Sequence, residues 1–122
     1  MGKENLRPII EKTGNDMKLC VDAAVNCVDA FLDAYQEHGS IKEAFAEEQV
    51  HRALLWLIFR TATLQKCNVI KYAHTTLDVL LQDVLVEEIY KEVSMGFLTI
   101  LQHKVSLVDP FNKLIFDVYY KN

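Results

Sequence analysis

Residues Ala53 to Phe59 read ALLWLIF, seven apolar positions in succession, with Arg52 before them and Arg60 after. A helix at a protein surface keeps a polar face, and this stretch keeps none. It is also too short to cross a bilayer as a helix, which takes roughly 20 apolar residues. It reads as the central helix of a domain, enclosed on several sides by other helices. Every other element has to be arranged around it.

The chain has 122 residues, one domain's worth, and 51% of them are apolar, with four glycines and two prolines. That length can bury a core without disulfides, and that composition excludes disordered and fibrous classes. The first fifteen residues, MGKENLRPIIEKTGN, form a basic arm whose charges interrupt any apolar core of a secretory signal. Leu6 stands where a myristoylation signal needs Ser or Thr. Cys20, Cys27 and Cys67 are odd in number and include no CxxC, so buried thiols in a reducing compartment, cytoplasmic or nuclear, are expected.

The first helix starts near Asn15, a good N-cap, with Met17, Cys20, Val21, Ala24, Val28, Phe31 and Tyr35 as its apolar stripe. Gly39 ends it, and Ser40 with Glu43 three residues on opens the next as a capping box. That second helix carries the apolar run and is expected to reach Lys66 or Cys67, with room for a break between 46 and 50. Beyond Asn68, the residues Leu77, Leu81, Leu85, Ile89, Val93, Phe97 and Leu101 recur every four positions. A four-residue step drifts about 40° around an α-helix, so one straight helix would turn this line away from the core. Two helices of about 69–81 and 84–104, with a break near Gln82–Asp83, keep the line facing inward. Gly96 within the second predicts close packing by a neighbouring backbone. Asp109 followed by Pro110 has the form of a helix start, predicting a last helix from Pro110 to about Tyr120. The fold expected is all-α: a compact five- or six-helix bundle over 16–122, the sixth being a turn at Leu6 to Lys12. A short helical-repeat block of the HEAT or armadillo kind would suit the same helix lengths.

Candidate sites are few. Glu48 and His51 form an E-x-x-H, which a di-iron bundle uses in duplicate, and no second copy exists here. An ordinary contact between the two is the simpler expectation, and no metal or other cofactor is implied. No H-E-x-x-H, adjacent His-Asp pair or glycine-rich phosphate loop is present either. A Cys-His nucleophile pair would need a meeting in space that sequence does not reveal.

Charge is unevenly spread. Residues 16–51 hold eight acidic residues against two lysines, whereas 52–71 hold Arg52, Arg60, Lys66 and Lys71 and no acid. Asp22, Asp29, Asp33 and Glu37 make an acidic ridge on the first helix, either a solvated face or a docking surface for a basic partner. The four basic residues are too sparse for a nucleic-acid stripe, and the net charge of −4 opposes one. Trp56 is expected to be buried with its run, the arginine stems lying over it; exposed, it would be a protein hot spot. Phe116 and Tyr120 fall off the inward stripe of the last helix and are candidate interface anchors, unless they fold back on Leu6, Ile9 and Ile10.

The surplus of apolar surface over available interior predicts a non-catalytic interaction or assembly domain that pairs with itself or another protein, without membrane insertion. The alternatives are a small helical enzyme or ligand-binding protein with a site between helices, and a nucleic-acid-associated protein using the basic residues.

Overall fold

A computed structural model describes residues 13–64 and 68–120, and the side chains of 17–64 and 68–107. Among the described residues the chain is all-helical. The helices are α1 (Thr13–His38), α2 (Ile41–Ala46), α3 (Glu48–Ala62), α4 (Val69–Val84) and α5 (Glu87–Tyr120). They pack into one helical bundle, α1 lying against α2, α3 and α4, and α5 against α3 and α4. No described helix is long and apolar enough to cross a membrane.

The signals at Gly39, Ser40 and Asn68 act where the chemistry predicts. Asn15, the expected first N-cap, instead lies inside α1, which already begins at Thr13. Gly39 takes φ 68°, and its amide donates to the Tyr35 carbonyl at 2.7 Å, closing α1. Ser40 is extended and its hydroxyl accepts from the Glu43 amide at 3.4 Å, opening α2. Asn68 accepts from the Lys71 amide at 3.0 Å and caps α4.

The break allowed between 46 and 50 falls at Glu47, which is extended (φ −66°, ψ 131°) and separates α2 from α3. It frees Phe45 to turn its ring into the core. That ring stands 4.7 Å from Phe31 and 4.9 Å from Phe97, centroid to centroid. Gly96 is the reason it fits: a Cβ there would lie 2.5 Å from Phe45 Cε2. The close neighbour of Gly96 is thus an aromatic ring and not a backbone.

Around this aromatic centre Leu54, Leu57, Ile58, Leu77, Leu81, Val93 and Leu101 are fully buried. The line of every-fourth residues does face inward, with Leu85 and Ile89 packed at its edge, because two helices share it. The turn between them, however, is at Leu85–Val86 and not at Gln82–Asp83. Leu85 adopts an extended backbone (φ −123°, ψ 147°), and its amide still bonds to the Leu81 carbonyl.

Other expectations are corrected. α3 stops at Ala62, short of Lys66, and the Thr63 hydroxyl takes the Arg60 carbonyl at 2.6 Å. α5 passes through Asp109 and Pro110 without a boundary. Proline lacks one amide donor, so the carbonyl of residue 106 loses a single helical bond while its neighbours keep theirs. On α1 the buried arc takes in Ala23, Cys27 and Ala34, leaving Met17 and Val21 exposed at 47% and 40%. The small side chains of Ala23, Ala24 and Ala34 allow α1 a close approach to its neighbours. The turn expected at Leu6 to Lys12 lies outside the described residues.

Candidate interaction surface

On α3, positions 50, 54, 57, 58 and 61 face the core and are buried. Opposite them lie Arg52, Trp56 and Arg60, successive members of one four-residue ridge. The enclosure expected for the whole apolar run therefore fails at its centre, where Trp56 is 50% exposed. A helix packed along one side has an outer arc, and the run places an indole there. The Arg60 guanidinium carbon lies 4.4 Å from the centroid of the indole ring, a cation–π contact. Arg52 Nη2 donates to Glu48 Oε1 at 2.8 Å, with both side chains well exposed. Such a pair contributes only about 0.3–0.5 kcal/mol, so either charge can exchange partners.

Asp22, Asp29, Asp33 and Glu37 are all exposed on α1, with Val21 and Val25 beside them at 40% and 37%. Lys71 is exposed in the first turn of α4. Lys66 and the side chains of Phe116 and Tyr120 lie outside the described residues.

Glu48 and His51 do not meet. Glu48 turns to Arg52, while His51 Nε2 donates to the Phe45 carbonyl at 2.5 Å. The reason lies in the Glu47 break: a continuous helix would give that carbonyl the amide of residue 49. The imidazole supplies the missing donor and caps α2. Cys20 and Cys27 are buried in the core. Desolvation pushes the Cys27 thiol up to about 12, so it is not a thiolate at neutral pH.

Two polar clusters had no clear signal in the sequence. At the α1–α2–α3 corner, His38 Nε2 is 2.6 Å from Glu47 Oε1 and its Nδ1 is 3.8 Å from Glu43 Oε2. The hydrogen bond to Glu47, helped by the charges of Glu37, Glu47 and Glu43, raises the His38 pKa above its ordinary 6.5 despite some desolvation. Glu37, His38 and Glu47 bring three ligand atoms within 4.8 Å of one another. An imidazolium among carboxylates accounts for that cluster without an ion.

Across the α4–α5 hairpin, Asp78 Oδ1 accepts from Ser94 Oγ at 2.5 Å and from the Tyr90 hydroxyl at 2.8 Å. Gln82 Nε2 donates to the Tyr90 hydroxyl, and His74 Nε2 lies 3.0 Å from Ser94 Oγ and 3.2 Å from the Ser94 carbonyl. The carbonyl can only accept, so His74 is the donor. Ser94 then gives its proton to Asp78 and not to the imidazole. A serine nucleophile needs the opposite arrangement, with the imidazole accepting from the hydroxyl and the carboxylate behind the imidazole. This cluster works as a polar latch between two helices.

No family model, curated protein or solved structure matches the chain.

Proposed function

We propose that this chain is a non-catalytic protein-interaction domain whose contact surface is centred on Trp56 of α3. The observation that carries the reading is the half-exposed indole at the middle of the outer face of α3, with an arginine one turn to either side. Interface hot spots are enriched in Trp and Arg, whose broad apolar and planar surfaces bind strongly at little conformational cost. Trp56 is the only tryptophan in the chain. Burying it against a partner would remove from water much of the apolar area it now exposes, at roughly 25 cal/mol per Å².

Site-specific photocrosslinking tests the reading. A photoreactive side chain at position 56 should form protein adducts in cells, and the same group at Val79, exposed on α4 without flanking arginines, should not. Equal labelling at the two positions, or none at 56, would remove Trp56 from any interface.

A further inference from the structure

We infer that the partner of the α3 surface is a second copy of this chain, which presents the outer ridge of α1. The inference rests on the reading of Trp56 as an interface residue and deepens it by naming the occupant.

Two exposed ridges have matching periods. On α3 the ridge runs Arg52, Trp56, Arg60, with successive residues about 6 Å apart along the axis. On α1 it runs Val21, Val25, Asp29 at the same step, with Asp22 beside Val21. Ridges of this four-residue type pack into one another's grooves in the commonest class of helix contact. Setting the two helices antiparallel with Trp56 over Val25 puts Arg52 opposite Asp29 and Arg60 opposite Val21, one residue from Asp22. One register thus matches an apolar centre to an apolar centre and Arg52 to Asp29, and brings Arg60 to the turn that carries Asp22.

Charge favours this pairing over a pairing of like ridges. α1 carries Asp16, Asp22, Asp29, Asp33 and Glu37 against Lys18 alone, so two α1 ridges repel. The α3 ridge, with Arg52 and Arg60 against Glu48, repels its own copy more weakly and attracts α1. Within one protomer α1 packs directly on α3. A two-fold axis that lays α1 of one copy on α3 of the other repeats the same contact in reverse and closes the assembly at two chains.

The test is sedimentation equilibrium of the whole chain from low to high micromolar concentration, at low and high salt. A reversible monomer–dimer equilibrium that weakens with salt is expected. Arg52→Glu with Arg60→Glu makes α3 acidic, and Asp22→Lys with Asp29→Lys makes α1 basic. Each double variant alone should dimerise at least tenfold more weakly, and an equal mixture should recover dimers of wild-type strength. Asp22, Asp29 and Arg52 are exposed and Arg60 is half-buried over Trp56, and circular dichroism checks that the variants keep their helices. Salt dependence of the wild-type dimer needs no variant at all.

A chain that stays monomeric overturns the inference, as do dimers indifferent to both charge reversals or a mixture that fails to recover. Growth beyond two chains overturns the two-fold arrangement. If the wild type is monomeric while position 56 crosslinks to a protein of different mass, the second copy is wrong and the interaction surface stands. A monomer with no adduct at position 56 removes both.

Discussion

Single residues show how little freedom the core leaves. Gly96 costs its helix roughly 1 kcal/mol relative to alanine. Yet the Phe45 ring lies where a Cβ would go, wedged between Phe31 and Phe97. Gly96→Ala should therefore destabilise the fold by about 1–3 kcal/mol in urea titration, the overpacking outweighing the gain in helix propensity. In a Phe45→Leu background the same substitution should become neutral or stabilising; a cost unchanged by that background would mean the ring is not the obstacle. His38 offers a second test. Its folded pKa is raised, so the stability it contributes is fully present below its unfolded pKa and is lost as pH rises through the folded value. The difference in melting temperature between wild type and His38→Gln should be largest in mild acid and shrink above neutrality. A difference that grew with pH would show that Glu47 and Glu43 are not what holds the imidazolium. Neither His38 nor His51 could be assigned a partner from the sequence, because both partners depend on the extended backbone at Glu47.

At the scale of elements, the caps at Gly39 and Ser40 were legible. Those expected at Asn15 and at Asp109–Pro110 fall inside helices, and the α4–α5 turn was misplaced. Gly39, Ser40 and Asn68 act locally, through bonds within a few residues, and each behaves as its chemistry predicts. The α4–α5 latch required the turn to be placed correctly. Gln82 and Tyr90 lie four residues either side of Val86, and Asp78 and Ser94 lie eight, so a hairpin turning there sets them level. A turn at Gln82–Asp83 pairs other residues and conceals the network. Asp78→Ala should cost about 1–3 kcal/mol, since the Ser94 and Tyr90 hydroxyls both lose their acceptor. Tyr90→Phe added to Asp78→Ala should cost less than the sum of the two, and strict additivity would show that the residues act separately. The uninterrupted passage of α5 through Pro110 shows that one missing donor does not by itself end a helix.

For the whole molecule, the division between core and surface along the apolar run decides both stability and function. Leu57→Ala should lose about 2–5 kcal/mol, as expected for a fully buried leucine, whereas its neighbour Trp56→Ala, half-exposed and held mainly by the Arg60 contact, should cost about 0.5–1 kcal/mol. Equal costs would place the indole in the core. As the only tryptophan, Trp56 also reports its own environment: dilute protein should emit as a solvated indole, and the emission should move to the blue as the chain associates. By itself the sequence determined the all-helical class, the caps at Gly39 and Ser40, the inward line of leucines and the acidic character of α1. These follow from local hydrogen bonding and from the 3.6-residue period, which each segment carries within itself. The tertiary structure alone decided which side of the apolar run meets water. Periodicity assigns a face only when polar residues mark it, and between Ala53 and Phe59 none does. The packing of α1, α4 and α5 around α3 buries Leu54, Leu57 and Ile58, half-covers Ala53, Leu55 and Phe59, and leaves Trp56 outside.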